Sequence, residues 1–350
     1  MADALVGELQ ERKVKLGPKA ISELYEHSFF GRPSNSGLEL SLVEASYLLD
    51  RSRIRIDFEG KELDFKSFFQ LSSSLEKGLE INYVVYKDLR ERGYYVQPGR
   101  PNFRVYPRGG HPGKMAAEFY VLVISERMFL PLQEVIEAAR LAGQMRKKLM
   151  IAIVDEESDI TFYEAKEKVI SGKMDQFAEG GMATLLEDRV MLWDSDASYG
   201  LHNCGFYGKL IGERLQLSLV ESAYLLAKRR IQLVDRYGNS VDLERLIMQA
   251  RCIEDNFDTK FEVYRDLRDR KLVVKTGFKF GTHFRVYKNV ANLESVSHSE
   301  FLVHTVPKDH VFQPPALSRA VRLAHSVKKQ MIFAYADDEV KYIEIKRLRP

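Results

Sequence analysis

The chain is written twice, and a tandem duplication restricts its fold more than its composition does. Leu40-Ser41-Leu42-Val43-Glu44 returns as Leu217-Ser218-Leu219-Val220-Glu221, and after two further residues each copy reads Tyr-Leu-Leu. Val85-Tyr86-Lys87-Asp88-Leu89-Arg90 returns as Val263-Tyr264-Arg265-Asp266-Leu267-Arg268, and Phe103-Arg104-Val105-Tyr106 returns as Phe284-Arg285-Val286-Tyr287. The offsets are 177, 178 and 181 residues, so the copies keep their order with small insertions. Arg140-Leu141-Ala142 with Arg146-Lys147 then matches Arg322-Leu323-Ala324 with Lys328-Lys329. One supersecondary pattern must therefore fold twice. The stretch from Glu167 to Ala183, with Ser171-Gly172-Lys173 and Gly180-Gly181, matches neither copy and reads as the linker.

Within a unit the periodicity changes along the chain. Phe261, Tyr264 and Leu267 recur at three-residue steps, which predicts a helix. Thr282 to Tyr287 alternates, putting Phe284 and Val286 on one face and His283, Arg285 and Tyr287 on the other, which predicts a half-buried strand. Phe301–Val306 and Gln330–Ala336 read as two more strands, with a helical run over Leu317–Lys329 between them. The expected fold class is mixed α/β in tandem. Residues 1–78 and 79–166 form the two subdomains of the first unit, 167–183 the linker, and 184–256 and 257–350 the two subdomains of the second. Trp193, in an apolar-rich strand-like segment, is expected in the core.

With 350 residues and 45% hydrophobic content, both units can bury a core. A formal net charge of +3 from 53 Lys+Arg against 50 Asp+Glu means that a nucleic-acid surface would have to be a local patch. Cys204 and Cys252 have neither zinc-ligand nor disulfide-framework spacing, which fits a reducing cytoplasm. Met1–Gln10 carries Asp3 and Glu8 and no apolar signal core, so neither export nor a membrane anchor is expected.

The second copy holds Lys275-Thr276-Gly277-Phe278-Lys279-Phe280-Gly281-Thr282-His283-Phe284-Arg285-Val286-Tyr287, then His298-Ser299-Glu300-Phe301-Leu302-Val303, then Val321 to Lys329. In order and spacing these blocks resemble the catalytic domain of the archaeal tRNA-splicing endonucleases of the homodimeric, duplicated kind. The resemblance implies a restriction-endonuclease-like C-terminal subdomain in each unit and an active-site trio at Tyr287, His298 and Lys329. It also implies attack of a ribose 2′-OH on the adjacent phosphate, giving 2′,3′-cyclic phosphate and 5′-OH ends. The substrate implied is precursor tRNA, cut at a bulge-helix-bulge by a homodimer without metal or other cofactor. Two arginines are implied to grip a bulged base. Arg322 matches the first, and the second falls in Lys346–Pro350, where Arg347 is taken over Arg349.

The residue types suit that chemistry. Such a reaction needs a proton given to the leaving oxygen and charge stabilised on the phosphorane. An imidazole, which titrates near pH 6.5 when unperturbed, is the natural acid, and that role falls to His298. A phenol is a base only where cations lower its pKa, so Tyr287 either accepts the 2′-OH proton or only orients the hydroxyl. Lys329 supplies a point charge for the non-bridging oxygens. Helical spacing would set Arg322 about 10 Å from Lys329 on one face.

Taken singly, a tyrosine, a histidine or a lysine pair is more often core or solvated surface than catalytic. His27, His111, His202, His304 and His310 show no metal-ligand spacing, and packing or hydrogen bonding is also the default for His283 and His325. In the first unit Tyr106 and Lys147 stand at the positions of Tyr287 and Lys329, but Ala116 stands at that of His298. That unit is expected to be an inactive scaffold. Family resemblance further implies an acidic loop of one unit entering a basic cleft of another, and Asp309 is the expected loop tip. A metal-dependent DNA nuclease would need paired acidic ligands on a strand, which Asp266, Asp269, Glu300 and Asp309 do not form. A non-catalytic RNA-binding subunit would not need the complete trio.

Overall fold

The structure, a computed structural model, describes residues 5–174, 179–290 and 298–350. Besides the pair Phe65–Leu75 and Leu243–Ile253, the helices that recur in each unit are α1 (Leu42–Asp50), α2 (Leu79–Glu91) and α3 (Leu132–Gln144), then α4 (Leu219–Ala227), α5 (Phe257–Asp269) and α6 (Pro314–Ser326). The repeated Leu-Ser-Leu-Val-Glu has a local cause. Ser41 and Ser218 cap α1 and α4 in capping boxes completed by Glu44 and Glu221, an arrangement whose loss costs about 0.5–2 kcal/mol.

Each unit opens with its own sheet, six strands between Leu5 and Leu63 in the first and five between Met182 and Asp235 in the second. The latter begins at Met182, inside the stretch expected to be linker, because Met182–Leu185 pairs in parallel with Gln232–Asp235. Trp193 is 49% exposed, contrary to the core position expected. Its Nε1 donates to Thr184 Oγ1 at 2.8 Å and Arg214 lies over its ring, so a surface contact explains it.

The second subdomains share one sheet. In the first unit its strands are β1 (Val96–Pro98), β2 (Phe103–Val105), β3 (Phe119–Ser125), β4 (Lys148–Val154) and β5 (Ile160–Glu167). In the second they are β6 (Val273–Thr276), β7 (Phe284–Tyr287), β8 (Phe301–Thr305), β9 (Gln330–Ala336) and β10 (Val340–Leu348). The order across all ten is β6-β7-β8-β9-β10-β5-β4-β3-β2-β1. The units are thus mirrored in order about the β10–β5 seam.

At that seam Ala165 lies opposite Ile345, flanked on one side by Glu164 opposite Lys346 and on the other by Lys166 opposite Glu344. The two ion pairs close reciprocally, at 3.2 Å for Lys346–Glu164 and 3.4 Å for Lys166–Glu344. Lys168 adds a 2.8 Å contact to the buried Glu344. A second short pairing, Leu130 with Phe312 and Pro131 with Val311, ties the units again. Beneath lies one core built from both, with Tyr120, Leu122 and Tyr163 packed among Leu302, Phe333 and Ile343.

Burial pushes the Glu344 carboxyl up, but the hydrogen bond and charge of Lys168, with Lys166, outweigh it and hold the group below 4.5. A carboxyl depressed by folding contributes stability above its unfolded value and loses it as pH falls through the folded value. Lys168→Met should therefore lower unfolding stability well above pH 4.5 and leave it nearly unchanged well below. Denaturant titrations at two pH values test this, and an equal loss at both would contradict it.

Candidate active site

The alternation of β7 sorts its side chains as the sequence predicts. Phe284 and Val286 are 2% and 0% exposed in the core, while Arg285 and Tyr287 share the other face. β7 runs antiparallel to β8, with Val286 opposite Phe301, and β8 runs parallel to β9, with Phe301 opposite Gln330. The end of β7 therefore meets the starts of β8 and β9. Tyr287, His298 and Lys329 are brought together there, in a cleft of about 500 Å³ also lined by Phe280, Arg285, Ser299 and Val327.

Lys329 reaches the cleft by a route that helical spacing does not give. α6 stops at Ser326 rather than running to Lys329, and Lys328 takes a left-handed φ of 56°. The chain turns back, Lys329 N donating to Ala324 O at 2.9 Å. The lysine ammonium then donates to Ser299 O at 2.8 Å, beside His298, and stands 5.8 Å from the centre of the Phe280 ring. Burial pulls the Lys329 pKa down, Arg285 pulls it further, and Glu300 opposes both. Burial pushes the Tyr287 phenol above its ordinary 10, against the charge of Arg285 and helped by Glu300. Burial thus favours the neutral hydroxyl of Tyr287, and the positive charge that opposes it is that of Arg285.

The first unit has the same frame with different contents. Val105 lies opposite Phe119 and Phe119 opposite Lys148, the register that aligns Tyr106, Ala116 and Lys147 with Tyr287, His298 and Lys329. There the Tyr106 hydroxyl donates to Gln97 Oε1 at 2.8 Å. Lys275, the counterpart of Gln97, instead donates to Phe206 O and Gly208 O at 2.8 and 2.7 Å.

The arginines expected to grip a base lie elsewhere on the same chain. Arg322 is exposed on α6 and does not line the cleft, and with Lys329 beyond the helix end the expected common face does not exist. Arg347, exposed opposite Tyr163, borders a groove with Asp155, Ser158 and Asp159 of the first unit. Asp309 is no free loop tip. Its turn is folded onto the first unit, where Gln133 Nε2 donates to Lys308 O and Leu132 N to His310 O. The acidic hairpin that sequence reasoning passed over is Asp155-Glu156-Glu157-Ser158-Asp159, between β4 and β5. Its signal was four acids in five residues.

His283 is spent on structure. Its Nδ1 accepts from Thr305 N at 2.9 Å and its ring stacks 4.5 Å from His304, with burial holding its pKa down at about 4. Among the described residues no His, Cys, Asp or Glu trio is placed to hold a metal, no helix is long and apolar enough to cross a membrane, and both cysteines are free.

Fold and site together define a class: a duplicated α/β chain in which one copy keeps an open cleft with a phenol, an imidazole and an ammonium, and the other has lost the imidazole. The model for the catalytic C-terminal domain of tRNA intron endonucleases matches residues 79–162 and 257–343, and that for their N-terminal domain matches residues 5–69 and 181–247. The chain belongs to the tRNA intron endonuclease family. It is similar to the tRNA-splicing endonuclease of Methanococcoides burtonii, at 49% identity over 98% of this chain and 99% of the relative. It is similar also to that of Methanosarcina mazei, at 49% over 98% of each, and to that of Haloarcula marismortui, at 36% over 96% and 97%.

With its phenol raised by burial, Tyr287 should remain protonated through pH 10. Ultraviolet titration of the protein minus that of Tyr287→Phe should show a tyrosinate signal whose midpoint lies above pH 10. A signal that develops below pH 9 would mean the hydroxyl ionises early enough to act as a base.

Proposed function

We propose that this protein is a tRNA-splicing endonuclease that excises introns from precursor tRNA, cutting both junctions of a bulge-helix-bulge. The observation that carries the reading is the convergence of Tyr287, His298 and Lys329 in one cleft of the second unit, in a chain of this family. Tyr287, neutral, holds the 2′-OH for attack on the phosphate, and as the new O–P bond forms the hydroxyl proton passes to solvent water. His298, exposed at the cleft mouth, gives its proton to the leaving 5′-oxygen. Lys329 offsets the charge that develops on the phosphorane. The products are a 2′,3′-cyclic phosphate and a 5′-OH end. Among the described residues Glu300 is the carboxylate whose charge reaches both Tyr287 and Lys329, and an imidazole beside an ammonium suits acid–base chemistry.

Each chain offers one such cleft and the substrate has two junctions, so the working form is a homodimer. Its contact is the acidic hairpin at Glu156, Glu157 and Asp159 entering the larger cleft between the subdomains of the partner's second unit. That cleft, of about 950 Å³, is edged by Arg189, Lys209, Lys260 and Lys275. Arg322 and Arg347, absent from their own chain's cleft, grip a bulged base by guanidinium stacking at the partner's site. The cytoplasm, where precursor tRNA is processed, is the compartment of this reading.

Cleavage of a bulge-helix-bulge RNA should continue in EDTA and stop when the 2′-OH at the junction is replaced by hydrogen. His298→Ala should slow both cuts by about 10²–10⁴-fold, whereas Lys147→Ala should leave the single-turnover rate intact. A mixed dimer with one His298→Ala chain should cut one junction per RNA. Metal dependence, or Lys147→Ala as damaging as Lys329→Ala with fold and binding preserved, would overturn the mechanism.

Arg322→Ala should weaken cleavage without moving the pH–rate profile, since a guanidinium stays protonated and transfers no proton. A displaced acid limb in that variant would assign Arg322 to proton transfer instead.

A further inference from the structure

Arg285 lines the cleft, yet the reaction as described gives it no task. Its Nε is shut off from solvent without a hydrogen-bond partner, and among the described residues its guanidinium forms no ion pair. Strand alternation sets it on the face of β7 that carries Tyr287. Across the sheet its neighbours are Lys275, committed to two backbone carbonyls, and Leu302, which is apolar. Its charge reaches both Tyr287 and Lys329. Two cations thus face one cleft, and one of them holds a shielded donor with nothing to donate to.

The first unit supplies the contrast. Arg104 occupies the equivalent place in Phe-Arg-Val-Tyr, but its cross-strand neighbour is Tyr120, and the guanidinium carbon lies 5.7 Å from the centre of that ring. Where His298 is replaced by Ala116, the arginine is covered by an aromatic ring. Where the histidine is kept, the ring is replaced by Leu302 and the guanidinium is left bare toward the cleft.

We infer that Arg285 is a further substrate-binding residue, whose guanidinium takes a non-bridging oxygen of the phosphodiester held in the cleft while Lys329 takes the other. A planar fork of donors suits a phosphate better than a second point charge would. This rests on the reading that the cleft is where RNA is cut. As negative charge grows on the phosphorane, both contacts strengthen, so the residue acts on the chemical step as well as on binding.

The test uses the full-length dimer and a bulge-helix-bulge RNA, with Arg285→Gln, Arg285→Lys, Arg104→Gln and His298→Ala measured together. Single-turnover rate, the salt dependence of binding, and mass in solution are read for each. Arg285→Gln should lower the rate by about 10²–10³-fold and flatten the log–log salt slope by about 0.7–1, one phosphate contact. Arg285→Lys should regain the slope but only part of the rate, and Arg104→Gln should match the parent in both. Parental rate and slope in Arg285→Gln would overturn the assignment, as would a loss of activity traced to dissociation into single chains, because the guanidinium would then pair with an acid of the partner. Should Arg285→Gln fail to fold, a parental rate in Arg285→Lys would overturn it and a reduced rate at parental slope would support it. A His298→Ala protein as fast as the parent would instead sink the cleft reading beneath this one.

Discussion

The antiparallel seam between β5 and β10 is the contact on which the rest depends. It joins two half-sheets into one, and its reciprocal pairs, Glu164 with Lys346 and Lys166 with Glu344, fix a register in which equivalent residues face each other about Ala165 and Ile345. A one-residue slip would invert every side chain of the strand and separate both ion pairs, and a two-residue slip would set Glu164 opposite Glu344 or Lys166 opposite Lys346. Because the seam lies at the middle, the Tyr287 cleft and the equivalent Tyr106 position of the first unit lie toward opposite ends of the sheet. The unit that does not carry the complete trio still supplies half of the core beneath it.

Seen this way, the loss of a site in the first unit is a set of local replacements within an unchanged frame. Ala116 removes the imidazole, Gln97 takes up the Tyr106 hydroxyl, and Tyr120 covers Arg104. In the second unit Lys275 is drawn away to the carbonyls of Phe206 and Gly208, where burial pulls its own pKa down and the nearby Glu221 opposes that. The Tyr287 hydroxyl and the Arg285 guanidinium are left facing open space. In the first unit Tyr106 and Arg104 each have a partner inside the protein.

Much of this was legible in the chain itself. The duplication, the helix over Phe257–Asp269 and the alternating strand ending at Tyr287 follow from short-range pattern, because helical period and strand alternation are local properties, whereas the trio was named through resemblance to a family. Other features were not. Lys329 was placed on a helix because Leu317–Lys329 is periodic throughout, yet a left-handed residue at Lys328 ends the helix and aims the lysine at Ser299. Asp309 was taken for an acidic tip on family resemblance, while the packing of its turn against the first unit could be seen only in three dimensions.

The sequence by itself determined that one unit folds twice and that both units are α/β, since these depend on residues near one another along the chain, and the repeat set Ala116 where the second unit has His298. Tertiary structure alone decided the ten-stranded sheet and the seam, the meeting of strand ends that converts three distant residues into one cleft, and the separation of Arg322 and Arg347 from that cleft. It also decided that Arg285, identical in type to Arg104, should be the bare one. Pairing between strands far apart in sequence, and the identity of the side chain across a ladder, are set by the packed whole and leave no local trace.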